Sequence, residues 1–98
     1  MGDKTWKAME RRCAQDLNTQ RVVCSGVRGE GDIIHDDFYI ECKYRKTLGV
    51  KTWFDKAKEE AKKQGKTPIL IVKEHGQHGE LAVVDWNWLV EKLIEVKE

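Results

Sequence analysis

Pro68 to Lys73, reading PILIVK, constrains the fold of this 98-residue chain more than any other stretch. It is a continuously apolar run rich in β-branched residues, as expected of a central strand buried on both faces. Such a strand needs cover above and below it. The run predicts an α/β protein with a mixed central sheet flanked by helices. Its apolar core, Ile69 to Val72, is far too short to span a bilayer.

The rest of the chain supplies that cover in one domain, since this length can bury only one modest core. Trp6, Met9, Cys13 and Leu17 recur at helical spacing and predict a first helix from Thr5 to about Leu17. Short strands are expected at Arg21 to Cys24, Asp32 to His35 and Phe38 to Tyr44, the last two joined by a tight turn at Asp36 and Asp37. A second helix should run from Val50 to Gln64, with Gly65 as its C-cap and Pro68 beyond. A strand at Glu80 to Val84 follows, and Asp85 is placed to cap a last helix from Trp86 to about Val96. The expected order is α-β-β-β-α-β-β-α.

Three cysteines at wide spacing, Cys13, Cys24 and Cys42, point away from a disulfide framework or structural zinc site. The N-terminal stretch MGDKTWKAMERR has no apolar segment and does not read as a signal peptide. A reduced, cytoplasmic setting is the expectation, with no membrane partner. Net charge is +1, but it is unevenly spread. Lys43, Arg45, Lys46, Lys51, Lys56, Lys58, Lys62, Lys63 and Lys66 stand against only Asp55, Glu59 and Glu60 in one segment. A basic surface on a nearly neutral protein suits a polyanion such as nucleic acid, although a lysine-rich helix face can also be merely solvated.

The chemistry-bearing residues lie on the predicted hairpin. Strand alternation turns Phe38, Ile40, Cys42 and Tyr44 one way and Tyr39, Glu41 and Lys43 the other. A two-residue turn at Asp36 and Asp37 pairs Ile33 with Ile40 and Asp32 with Glu41, leaving the two carboxylates roughly 4.5–5.5 Å apart at Cβ. Like charges so placed repel unless a cation stands between them. Two hard oxygen ligands with retained water are what Mg²⁺ takes when it also binds a phosphate. Glu10 falls on the apolar stripe of the first helix, so it is expected either to be partnered by a cation, to face a wet cleft or to snorkel at the edge of the stripe.

These pieces resemble the PD-(D/E)xK nuclease superfamily, and within it the archaeal-type Holliday junction resolvases and their phage relatives. The likeness rests on Glu10, the Ser25-Gly26 loop, Gly31-Asp32-Ile33, Ile40-Glu41-Cys42-Lys43, the Trp-containing basic helix and Pro68 to Lys73. It implies a restriction-endonuclease-like core and a metal-dependent DNA endonuclease acting on branched DNA as a homodimer. By resemblance, Asp32 and Glu41 bind Mg²⁺ or Mn²⁺ with the Cys42 backbone carbonyl, Glu10 joins directly or through water, and Lys43 orients the attacking water. By the same resemblance, Ser25, or the backbone around Gly26, approaches DNA phosphates. Gly31 stands where many relatives carry proline, and a glutamine that many carry on the second helix has only Lys56 and Gln64 as candidates here.

Arg45, Lys46, Lys51, Lys56, Lys58, Lys62 and Lys63 are the expected phosphate contacts. Two further features are open. Trp88 projects from the opposite side of the last helix to Trp86, Leu89, Val90, Leu93 and Ile94, so it marks either a dimer surface or a fold-back onto a loop. His75 and His78 form an H-x-x-H that reads best as a solvated turn. The competing functional readings are a same-fold nuclease acting on flaps, nicks or mismatches, and a non-catalytic nucleic-acid-binding module.

Overall fold

A computed structural model describes residues 5–22 and 31–97 of the chain. Among them run α1 (Thr5–Asp16), β1 (Phe38–Arg45), α2 (Val50–Lys63), β2 (Thr67–Glu74), β3 (Leu81–Val83) and α3 (Trp86–Lys97). The sheet order is β1-β2-β3, with β1 parallel to β2 and β3 antiparallel to β2. The PILIVK run is thus the central strand, and Leu70 and Val72 are fully buried.

The element order corrects the expectation at its front. Asp32 to His35 is not a strand. Its residues meet their neighbours only through isolated antiparallel bridges, Arg21 with Ile33 and Ile33 with Ile40. The expected strand at Arg21 to Cys24 shows as the bridge at Arg21, and its last two residues lie outside the described region. The register of the hairpin is as expected, since Ile33 meets Ile40. Its turn is not: Ile34 donates its backbone N–H to Gln20 rather than pairing with Tyr39, and Asp36 and Asp37 form a bend. The Asp37 N–H is taken by His35 Nδ1, and the His35 ring packs edge-on against Phe38.

Local chemistry sets the helix ends. After α2, Gly65 adopts φ +66°, its N–H bonds to Lys62, and the Lys66 N–H reaches back to Ala61. This paired closure needs a left-handed residue, which glycine adopts without steric cost. At α3, the Asp85 carboxylate accepts the Trp88 N–H at 3.2 Å, the expected N-cap.

The sheet is covered on its two faces by unlike layers. On one side Met9, Cys13 and Ala14 of α1 pack with Ile33 and Ile40, and Phe38, Cys42, Tyr44, Ile69 and Ile71 close around them. On the other, Tyr39 packs with Ala57 and Ala61 of α2. The stripe of α1 is rotated from the expected one: Met9, Glu10, Cys13 and Ala14 are buried, while Trp6 and Leu17 are largely exposed. α3 also departs from expectation. Trp88 packs edge-on against Phe38 at 5.8 Å instead of projecting into solvent, whereas Trp86, Leu93 and Ile94 are exposed. No helix among the described residues is long and apolar enough to cross a membrane.

Candidate active site

Gly31 places the first acid. Its φ of +82° and its approach to β1 leave no room for a side chain, because a Cβ there would lie 2.6 Å from the Ile40 carbonyl oxygen. The next residue, Asp32, donates its N–H to that same carbonyl at 2.8 Å. Its side chain turns along the strand, and Oδ2 accepts the Cys42 N–H at 2.8 Å. β1 is an edge strand of the three-stranded sheet, so this carboxylate satisfies an edge donor that no strand reaches. In a strand, a residue's carbonyl points to the same side as its N–H. The Cys42 carbonyl therefore faces the Asp32 side.

Three carboxylates from three parts of the chain meet at this edge. Glu10, Asp32 and Glu41 line one cavity of about 290 Å³ with Lys43 and Arg45, floored by Met9, Cys42 and Tyr44 and flanked by Trp6. Glu10 and Asp32 are buried, only 6 % and 7 % exposed. Glu10 Oε1 accepts a hydrogen bond from Arg21 Nε at 3.0 Å. The acid on the apolar stripe is therefore both paired with a cation and open to a cleft. Glu41 Oε2 stands 3.6 Å from Lys43 Nζ, and the Tyr39 hydroxyl lies 3.5 Å from Oε1.

The electrostatics follow from this crowding. Burial raises the Glu10 carboxyl above the usual glutamate range and the Asp32 charge adds to it, against the pull of Arg21. Glu41 is raised in the same way by burial and then Asp32, with Lys43 opposing. Asp32 thus disfavours the charge on both neighbours. Burial, followed by the Glu41 charge, pushes the Tyr39 phenol up to about 12. Cys42 packs toward α1, where its thiol meets that of Cys13; that contact and burial both raise it, as expected of a core thiol.

Among the described residues, no three His, Cys, Asp or Glu side chains are grouped to hold a metal ion among themselves. The donor set at the β1 edge is instead two carboxylates, Asp32 and Glu41, with a backbone carbonyl beside them. That matches the habit of Mg²⁺, which keeps several waters and takes one or two carboxylates. A cation at that edge would relieve the mutual repulsion of the acids.

The basic residues divide into groups. Lys51 pairs with Asp55 at 2.8 Å, Lys58 with Asp85 at 3.8 Å and Lys63 with Glu60 at 3.3 Å. These are exposed pairs, worth little to stability. Lys46, Lys56 and Lys62 have no carboxylate partner among the described residues. Lys43 and Arg45 lie over the Trp53 ring at 6.0 and 5.9 Å from its centroid, so the indole steadies two cations beside the acids. Of the two candidates for the inward-pointing polar residue of the second helix, Lys56 lines a cavity with Glu41 and Lys43; Gln64 caps the far end of α2. Ser25 lies outside the described residues. His75 of the H-x-x-H packs at a tilt of 43° against the Tyr44 ring, 4.3 Å between centroids.

Sequence reasoning placed Gly31 before the first acid and Tyr39 on the Glu41 face without giving either a role in the site, and it missed Arg21. Gly31 carried a signal, a glycine immediately before an acid at the point of strand approach. Arg21 carried none, because its partner Glu10 lies eleven residues away across a turn. Comparisons with protein-family models, with curated proteins and with solved structures returned no match.

Proposed function

We propose that this protein is a metal-dependent DNA endonuclease of the PD-(D/E)xK kind, acting on branched or otherwise distorted DNA. The observation that carries the reading is the cavity at the free edge of β1, where Glu10, Asp32 and Glu41 converge beside Lys43. A structural role alone gives no reason to bury two carboxylates and crowd a third against them, since buried like charges destabilise a fold.

Asp32, Glu41 and the Cys42 carbonyl would hold Mg²⁺ or Mn²⁺, with Glu10, already held by Arg21, reaching it through water. When bound, the ion supplies Lewis acidity toward a phosphodiester and acidifies water. Asp32 is oriented by the Cys42 N–H, so its free oxygen keeps one direction. Lys43 can set its ammonium against a phosphoryl oxygen and stabilise developing negative charge there. Arg45, Lys46 and the α2 lysines hold flanking phosphates without reading bases, which favours recognition of DNA shape. A homodimer fits a substrate with two equivalent strands to cut, and the exposed apolar residues of α3 are available surface for it.

The deciding experiment is a cleavage panel of four-way junctions, flaps, linear duplex and single strands with Mg²⁺ or Mn²⁺. The wild type is expected to cut at least one branched substrate. Glu41→Gln and Asp32→Asn, which keep size and hydrogen bonding, should lower cutting by about a hundredfold or more while still binding DNA. Undiminished cutting by either purified variant removes the assignment. No cutting of any substrate by the wild type leaves a nucleic-acid-binding module.

A further inference from the structure

A second cavity, of about 380 Å³, lies between β1 and α2. Its own walls are Tyr39, Thr52, Trp53, Lys56, Ala57 and Glu60. It shares Glu41 and Lys43 with the acid cavity, so the two spaces meet at that pair. Its inner wall is Ala57 of α2, a small side chain packed with Tyr39. The volume is within the range of small-ligand sites, about 300–1,000 Å³.

The lining limits what can enter. Glu41 and Glu60 oppose a second phosphate. Trp53 offers a flat, partly exposed aromatic wall, which a base would share with the Lys43 and Arg45 cations, 6.0 and 5.9 Å from its centroid. Around it stand the hydroxyls of Thr52 and Tyr39, the ammonium of Lys56 and the carboxylate of Glu60, giving both donors and acceptors. A planar heteroaromatic ring with polar edges fits this set, and an aliphatic or anionic group does not. Lys56 has no carboxylate partner among the described residues, whereas Lys51, Lys58 and Lys63 of the same helix do.

We propose that this cavity receives one unpaired nucleobase, turned out of the helix next to a phosphate held in the acid cavity. The base lies against Trp53, and its polar edge meets Thr52, Lys56 and Glu60. Substrate choice then depends on a nucleotide that is free to leave the stack, as at a bulge, mismatch or branch point, since extrusion costs least where pairing is already lost. This rests on the nuclease reading for the neighbouring phosphate but not on cleavage itself.

The test separates the two. With Ca²⁺ in place of Mg²⁺ to neutralise the acids, fluorescence anisotropy compares three DNAs: a paired duplex, the same duplex with one extra unpaired thymidine, and the same with an abasic residue at that position. The wild type should bind the extra base about tenfold or more tightly than the abasic bulge, as expected for one base stacked on an aromatic ring. Trp53→Ala should bring that ratio close to one. Lys56→Ala, on an exposed side chain, should reduce it in a variant that folds. Equal affinity of the wild type for the two bulges overturns the proposal, and so does failure to bind any of the three. The three DNAs and the branched panel are then incubated with Mg²⁺: cutting without a base preference ends the cavity assignment alone, and a base preference with no cutting of any of these substrates ends the nuclease reading alone.

Discussion

The two faces of β1 meet helices of opposite character. Toward α1, Ile40 is sealed by Met9, Cys13, Ala14 and Ile33, with Phe38, Tyr44, Ile69 and Ile71 partly buried around them. Toward α2, the buried partners of Tyr39 are two alanines, and beside them lie Glu41, Lys43 and a cavity. One face fixes the strand, and the other uses the rigidity so obtained to hold charged groups in place. A site supported by packed elements can keep repelling carboxylates at a geometry that loops could not. The cost is visible in the raised carboxyls of Glu10 and Glu41.

The contrast can be broken from the sealed side first. Ile33 is completely buried at an isolated bridge to β1, so Ile33→Ala should cost about 2–5 kcal/mol in chemical denaturation. A loss below 1 kcal/mol, about that of an ordinary surface change, would mean the α1 face is not the structural one. The join between the faces comes next. Gly31→Ala puts a methyl against the Ile40 carbonyl in a left-handed backbone, for a loss of about 1–3 kcal/mol. It should also displace Asp32, so its metal-supported cutting should fall more than its stability explains. Equal falls in both would assign Gly31 to the fold alone.

The smallest effect probes the α2 face by pH. The Tyr39 phenol titrates near 12 in the fold against about 10 in an unfolded chain, so the folded form holds its proton more tightly. The stability this contributes is fully present below pH 10 and is lost as pH rises through 12. About 2 kcal/mol should disappear across that window in the wild type, beyond what the lysines lose in both proteins. Tyr39→Phe should show a flatter alkaline limb in urea titrations. Identical limbs would place the phenol in solvent.

The acid–lysine constellation was legible in the sequence because strand alternation acts over neighbouring residues. Glu41 and Lys43 share a face by period alone, and the Ile33–Ile40 register follows from matching apolar positions. The hairpin turn was not legible. Ile34 finds a better acceptor in Gln20, a choice made by the chain segment before it and invisible to a two-strand argument. Trp88 escaped for a similar reason: on a wheel it stands alone, and only the arrival of Phe38 gives it a partner.

By itself, then, the sequence determined the features set by interactions within a few residues. They include the left-handed stop at Gly65, the cap at Asp85, the apolar central strand from Pro68, and the pairing of acid with lysine on β1. Only the tertiary structure decided which cation serves Glu10, which face of α1 is buried, which lysine of α2 reaches the site, and that two cavities meet at Glu41 and Lys43. Those outcomes depend on the summed packing of distant elements. A change of one rotation step in a helix exchanges its buried and exposed residues, and no local pattern fixes that step when several faces are comparably apolar.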